Sequence, residues 1–155
     1  MKYLKLLPIL FLILLLYSCG YKKINSENFN NFKINKLEIN GENKVTNKIK
    51  NNIEIYSDQK SRFIYDIKIN LISKKESKIK NITGKTTRYS NELQADTLIT
   101  NLETKIDYKK IFSSINDYDI GSTHSYTLNN EKNAIENNIN YISNEIIKYL
   151  KLLNI

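Results

Sequence analysis

The sequence predicts an α+β fold in which two helices pack on one face of a mixed or antiparallel sheet of about four strands. Three observations predict this two-layer sandwich. In residues 63–71 every second side chain is apolar (Phe63, Tyr65, Ile67, Ile69 and Leu71) and Asp66, Lys68 and Asn70 stand between them, which is typical of a half-buried strand. Residues 43–56 and 128–153 each repeat apolar side chains every three or four positions, which is typical of amphipathic helices.

The first strand and the first helix follow one another at the start of the predicted domain. Two alternating apolar pairs, separated by one extra residue, indicate a strand with a bulge: Phe32 and Ile34, then Leu37 and Ile39. The dipeptide Asn40-Gly41 predicts the turn that ends this strand. In the helix that follows, one face collects the apolar residues Val45, Ile49, Ile53 and Tyr56.

Three further strands are expected in the middle of the chain. Residues 63–71 form the clearest of them, and the polar residues 74–85 are interpreted as the long loop or flared end of a hairpin. A second long strand covers residues 88–100. A short strand is predicted around residues 111–115, and residues 119–122 make the turn that follows it.

The closing segment predicts a long helix without Gly or Pro. It runs from about residue 128 to residue 153. Asn129 or Asn130 is the expected N-cap, with Glu131 in the first turn, where a carboxylate is favoured by the helix dipole.

Composition indicates one folded domain with a basic surface. The chain has 155 residues and a formal net charge of +8. A positive surface favours anionic partners such as phosphates, acidic lipids or nucleic acid. Lys, Asn and Ile are all over-used, as in proteins from AT-rich genomes, so only local clusters of charge are treated as informative.

The amino terminus has the layout of a secretory signal. Lys2 and Lys5 precede an apolar run at residues 6–17, which is shorter than the roughly twenty residues that a membrane helix needs. The only cysteine, Cys19, follows this run directly, so no disulfide can form within the chain. We therefore expect a signal peptide at residues 1–18, a lipidated tether at residues 19–31 and a single domain at residues 32–155.

The junction Leu16-Tyr17-Ser18-Cys19 resembles the bacterial lipobox. That resemblance implies a diacylglyceryl thioether on Cys19, cleavage before it and a further acyl chain on its amine, which together anchor a protein lastingly. No other cofactor is expected. The enterobacterial sorting pattern places Asp after the cysteine of inner-membrane lipoproteins. Because Gly20 stands there instead, we expect the periplasmic side of the outer membrane.

Catalysis is not expected from this composition. His124, the one histidine, lies in a Ser/Thr-rich turn and is interpreted as an exposed or capping residue. Asp117 and Asp119 are interpreted as a solvated turn, and no acidic cluster has the spacing of a calcium loop. The four glycines are too scattered for a phosphate-binding loop. The sequence therefore predicts that the protein is not an enzyme and binds no metal.

A basic cluster surrounds the predicted hairpin loop. Its members are Lys74, Lys75, Lys78, Lys80, Lys85 and Arg88, with Glu76 as the only acid between them. Such a cluster can bind phosphates through charge-assisted hydrogen bonds. It can equally be a solvated loop in a lysine-rich protein, and both readings stay open. Nucleic acid is not expected as a partner at the outer membrane.

The order of elements resembles the lipopolysaccharide-assembly lipoprotein family LptE, also called RlpB. The resemblance rests on the opening Cys19-Gly20-Tyr21, on residues 44–56 and 88–100, and on the terminal helix that carries Glu131, Ala134 and Glu136 near its start. The long Lys/Asn-rich connections and the region after Asp107 depart from that pattern.

Membership would imply a domain that plugs the barrel of the outer-membrane translocon LptD and helps to receive lipopolysaccharide. Its polar exterior would suit a polar barrel lumen. Under this reading the residues that contact lipopolysaccharide phosphates are Lys78, Lys80, Lys85 and Arg88.

Two rival functions remain open at this stage. A pilotin-like accessory lipoprotein would serve another outer-membrane machine, and pilotins are often helical, so long strands would argue against it. A free-standing, periplasm-facing lipid-binding lipoprotein should instead show a sizeable apolar pocket.

Overall fold

The computed structural model describes residues 31–154 and confirms the predicted order of strand, helix, three strands and helix. The elements are β1 (Lys33–Asn40), α1 (Asn43–Glu54), β2 (Ile64–Lys80), β3 (Thr86–Asn101), β4 (Asp107–Asp119) and α2 (His124–Leu152). The predicted signal peptide, Cys19 and the predicted tether before Asn31 lie outside the described residues.

The sheet has four strands in the order β1-β2-β3-β4 and is mixed. β1 pairs with β2 in parallel, while the β2–β3 and β3–β4 pairs are antiparallel. A parallel pair needs a crossover connection, and α1 lies within that connection. The predicted bulge in β1 is confirmed by a register shift between Ile34 and Lys36.

Both helices cover the same face of the sheet, called here the helix face, and the opposite face is called the open face. The predicted face of α1 buries Val45, Ile49 and Ile53. The buried positions of α2 include Ile139, Ile142, Ile146 and Leu150. The strands contribute alternate residues to the same core: Tyr65, Ile67, Ile69, Leu93, Ala95 and Ile99. The predicted α+β sandwich is therefore confirmed.

The polar segment at residues 74–85 is not the long loop that the sequence predicts. β2 continues as far as Lys80, and only residues 81–85 form the turn to β3. The residues of β2 beyond Leu71 are exposed, so they show no apolar alternation that could identify a strand. Their backbone groups nevertheless pair with β3, and this ladder keeps the segment extended.

The final strand and the final helix also differ from the predictions at their ends. β4 has 13 residues, so Asp117 and Asp119 lie in a strand and not in a turn. α2 begins at His124, and its N-cap is Thr123, whose hydroxyl accepts a hydrogen bond from the backbone N–H of Tyr126 at 3.2 Å. Asn129, Asn130 and Glu131 consequently lie beyond the first turn. The cap was missed because the pattern of buried apolar residues begins well after the helix itself.

The first helix is shorter than predicted by two residues. α1 ends at Glu54, and Tyr56 lies in the turn that follows, half-exposed. The spacing of Tyr56 fits the helical face, but its side chain is not part of the core.

A buried amide network joins α2 to the sheet. The side chain of Asn138 is fully buried and its Nδ2 donates to the backbone carbonyl of Asn91 at 2.9 Å and to the Asn91 side chain at 3.1 Å. Its Oδ1 accepts from the side chain of Asn116 at 2.7 Å. One residue therefore links the last helix to β3 and β4.

Replacing Asn138 with Leu should destabilise the fold by about 1–3 kcal/mol, because the buried Asn91 and the partly buried Asn116 lose their hydrogen bonds. Urea unfolding followed by circular dichroism measures the change. Leu152→Asn is the control, since Leu152 lies on the same helix with 62% of its surface exposed. Equal unfolding midpoints for Asn138→Leu and the unsubstituted protein would contradict the importance of the network.

Candidate functional site

The turn at residues 81–85 connects β2 to β3 and forms the end of this hairpin. Asn81 organises the turn, since its Oδ1 accepts from the backbone N–H groups of Thr83 at 3.1 Å and Lys85 at 2.9 Å. Gly84 has a φ of +78°, a conformation that favours glycine. The turn leaves Ile82 fully exposed. The hairpin end is therefore an ordered structure.

The four predicted binding residues, called here the hairpin cluster, lie on both sides of this turn. Lys78 and Lys80 are in the last residues of β2, Lys85 is in the turn, and Arg88 is near the start of β3. Cross-strand register places Arg88 opposite Ile79, between Lys78 and Lys80. The structure thus brings all four to one end of the sheet.

Two members of the hairpin cluster are engaged by the acids of β4. Lys78 forms an ion pair with Asp117. Arg88 binds Asp119 in a bidentate arrangement, with Nε to Oδ1 at 2.6 Å and Nη2 to Oδ2 at 3.2 Å. These pairs lie on the open face, where Arg88 stands directly opposite Asp119 in the register. Much of the local positive charge is therefore already compensated.

Lys80 and Lys85 differ from the other two members. Both are exposed, and within residues 31–154 neither forms an ion pair. A phosphate group could bind these two ammonium groups without displacing a carboxylate. They are the members of the hairpin cluster best placed to receive an anionic ligand.

The ion pairs shift the titration of both carboxyl groups. The hydrogen bond from Lys78 is the main cause that lowers the pKa of Asp117. The hydrogen bonds from Arg88 likewise lower the pKa of Asp119, and the same contact raises the pKa of Arg88. Both carboxyl groups therefore stay charged below the pH at which an unpaired aspartate is protonated.

A second group of residues, which sequence reasoning missed, joins the hairpin to α2 on the helix face. Lys75 Nζ lies 2.7 Å from Glu131 Oε1 and sits over the ring of Tyr89 at 4.7 Å from its centroid. The ring of Tyr118 stacks on Tyr89 with centroids 5.7 Å apart. Nothing in the sequence pairs Lys75 with Glu131, because the two residues are far apart along the chain.

A pocket of about 170 Å³ opens between the two helices above the sheet. Its apolar lining comes from Val45, Leu93, Leu128, Ile135 and Ile139, and its rim carries Lys44, Lys48, Lys132 and three glutamates. Pockets that bury a small-molecule ligand usually measure about 300–1,000 Å³. This pocket is smaller than that range, whereas a shallow groove of about 480 Å³ whose lining includes Lys68, Asp96 and Ile111 falls within it.

The remaining candidates for chemistry lie apart from each other. His124 is the first residue of α2 and is exposed, in line with its interpretation as a surface residue. Within residues 31–154 no three His, Cys, Asp or Glu side chains are grouped as metal ligands. In the same range no helix is both long enough and apolar enough to span a bilayer. Cys19 lies outside the described residues.

Comparison with solved structures identifies the class of fold. No protein-family model matches the chain, and no curated protein sequence matches it significantly. A protein of Caulobacter crescentus CB15, assigned as a lipoprotein, superposes with a TM-score of 0.56 at 11% sequence identity, covering 76% of this chain and 88% of that one. The chain therefore shares its fold with a bacterial lipoprotein.

Two further solved structures with a similar fold are of proteins called lipoprotein B. The rare lipoprotein B of Shewanella oneidensis gives a TM-score of 0.54 at 9% identity over 76% of this chain and 89% of its own. Lipoprotein B of Nitrosomonas europaea gives 0.53 at 8% identity over 80% and 82% of the two chains. Since RlpB is rare lipoprotein B, the resemblance stated from the sequence is confirmed at the level of fold.

The hairpin ion pairs predict an acid-sensitive contribution to stability. Because the pKa values of Asp117 and Asp119 are lower in the folded chain, the pairs stabilise the fold above the usual carboxyl range near pH 4. That contribution should disappear as the pH falls through the lower, folded-state pKa values. Carboxyl ¹³C NMR titration measures both groups.

Matched substitutions separate the two pairs. Lys78→Gln should raise the pKa of Asp117, and Arg88→Gln should raise that of Asp119 more than that of Asp117. Titration midpoints that stay fixed in both variants would exclude these contacts as the cause of the shifts.

Proposed function

We propose that the protein is a lipoprotein of the lipopolysaccharide-assembly class, acylated at Cys19 and held on the periplasmic side of the outer membrane. The observation that carries this proposal is the fold, which matches the lipoprotein B structures over more than three quarters of the chain. The leader and the lipobox-like junction before Cys19 support the anchor. The long strands β2 and β3 favour this class over a helical pilotin.

We further propose that the domain works by binding inside the barrel of the translocon LptD and not by catalysis. A plug in a polar lumen needs a polar outside. The part of the open face formed by β1 and β2 meets this need, since charged and amide side chains of these two strands bond to each other across it. Asn35 donates to Asp66 at 2.8 Å, Asn40 donates to Asn70 at 2.9 Å, and Lys68 lies 3.8 Å from Glu38.

The barrel partnership is tested by co-purification from a detergent extract of the envelope. The tagged full-length protein should bring down a large barrel protein in stoichiometric amount. The matched control keeps residues 1–31 and replaces the rest with an unrelated soluble domain, so it shares the leader and the tether alone. Recovery of the barrel with both proteins, or with neither, would contradict a specific role for the folded domain.

The hairpin cluster is the proposed contact for lipopolysaccharide phosphates. Neutralising Lys78, Lys80, Lys85 and Arg88 together should weaken lipopolysaccharide binding. Lys80→Gln/Lys85→Gln should account for most of the loss, roughly three- to tenfold at low salt, because these ammonium groups are not committed to a carboxylate. Surface binding or fluorescence titration with purified lipopolysaccharide measures the affinity.

A charge-matched control decides whether the position or the total charge matters. Lys60→Gln/Lys105→Gln removes two exposed lysines at the opposite end of the sheet, before β2 and after β3. This variant should bind lipopolysaccharide like the unsubstituted protein. If both double variants lost the same affinity for lipopolysaccharide, the effect would come from net charge, and the hairpin cluster would not be the binding site.

A further inference from the structure

The sheet has a long free edge along β4. Two hydrogen bonds at the ends of the β3–β4 pair define which backbone groups point to this edge: Ile120 N–H to the carbonyl of Thr87, and Asn101 N–H to the carbonyl of Ile106, both at 3.0 Å. These bonds pair the even-numbered residues of the β4 segment with β3. Because backbone direction alternates along a strand, the odd-numbered residues of β4 direct their N–H and C=O groups to the free edge.

The middle of this edge lacks the protection that edges usually have. Proteins commonly guard exposed edges with charges, prolines or bulges. Charged side chains stand at both ends of β4, but residues 111–116 contain none and the β3–β4 register is regular throughout. Ile111 and Ile115 are 62% and 60% exposed on the open face beside the edge. Within residues 31–154 no other element pairs with β4 on this side.

We propose that two copies of this chain pair through β4, antiparallel, about a two-fold axis at Ser113. The two four-stranded sheets would then form one continuous sheet. Odd-numbered residues face odd-numbered residues in this register, so residues 109–117 of the two copies exchange about ten backbone hydrogen bonds in closely spaced pairs. An interface of this kind uses the same surface of both copies.

Side chains on the open face select this register. Ile111 of one copy lies opposite Ile115 of the second copy, and the symmetry repeats this apolar pair. Lys109 lies opposite Asp117 of the second copy, a carboxylate that Lys78 of its own chain already pairs, so Lys109 adds a second cation to that carboxylate on each side. A register shifted by two residues in either direction places Ile111 opposite Ser113 or Asp117 of the second copy. Both shifted registers therefore lose the apolar pair.

The ends of the strand limit the ladder. Asp107 would face Asp119 of the second copy, but Asp107 already accepts from the hydroxyl of Thr100 at 2.7 Å and Asp119 is bound by Arg88. The backbone carbonyl of Asp119 accepts from Asn130 at 3.0 Å, so it is not available to a neighbour. The paired region therefore covers residues 109–117, with the repulsive positions outside it.

This pairing is proposed for the chain when it is not bound to a barrel protein, and it does not depend on the proposed function. Its test uses the purified mature chain, residues 19–155, with Cys19→Ser so that no other thiol is present. In this background Ser113→Cys places a thiol opposite itself, with Cα atoms about 5.5 Å apart and both side chains on the open face, within reach of a short thiol-specific cross-linker. With this reagent the covalent dimer should form at least ~10-fold faster than by random encounter.

Two single-cysteine controls place the thiol on the open face but away from the two-fold axis. Ile111→Cys lies on the same edge opposite residue 115, and Ile72→Cys lies on β2, away from the edge. Both should cross-link at the slow rate of random encounter. Similar rates at all three positions would overturn the proposal.

Charge exchange tests the register independently. Lys109→Asp and Asp117→Lys should each reduce the dimer seen by sedimentation as the protein concentration rises, and the double variant should restore it. A chain that stays monomeric at every concentration would overturn the proposal, leaving the edge to a strand of another protein. A double variant as weak as the single variants would overturn this register.

Discussion

The position of α2 on the sheet depends on the buried amide of Asn138. Apolar side chains alone would allow the helix to slide by a turn, because Ile139, Ile142 and Ile146 present similar surfaces at each step. The amide of Asn138 has one place where its donors meet Asn91 and its acceptor meets Asn116. A buried amide without partners costs about 1–3 kcal/mol, so the network fixes one arrangement among several that the apolar contacts would tolerate.

This arrangement explains how the hairpin is held. Glu131 lies seven residues before Asn138, about two helical turns, and so projects from the same side of α2 toward the sheet. It meets Lys75, whose ammonium group also rests on Tyr89. The hairpin extends past the apolar core. Contacts between polar and aromatic side chains therefore stabilise its base where hydrophobic burial has ended.

The sequence predicted the elements that bury apolar side chains and missed the lengths of those that do not. Residues 63–71 and the α1 face at Ile49 and Ile53 were predicted correctly because one side of each touches the core. The later part of β2 is exposed, and the ends of β4 are mostly charged and exposed apart from the buried Tyr118, so pairing with a neighbouring strand makes them extended. Pairing of this kind depends on residues distant in the sequence, which periodicity does not report.

The same limit applies to the candidate site. The sequence indicated that Lys78, Lys80, Lys85 and Arg88 gather at one end of the sheet, since a hairpin brings its two ends together. It did not indicate that Asp117 and Asp119 reach two of these cations, because both acids were assigned to a turn. Once β4 is known to reach Asp119, the register places Arg88 opposite that carboxylate. The two acids of β4 then bind Lys78 and Arg88, and Lys80 and Lys85 are left without an ion pair among the described residues.

Because both helices cover one face of the sheet, the open face and the edge of β4 are exposed to water or to another protein. The face is made compatible by side-chain pairs such as Asn40 with Asn70, which satisfy each other and cost nothing when a polar surface approaches. The edge of β4 differs, since its N–H and C=O groups bond either to water or to a strand that lies beside it in the plane of the sheet. A polar face therefore suits a polar host, whereas the uncharged middle of the edge offers a template for another strand.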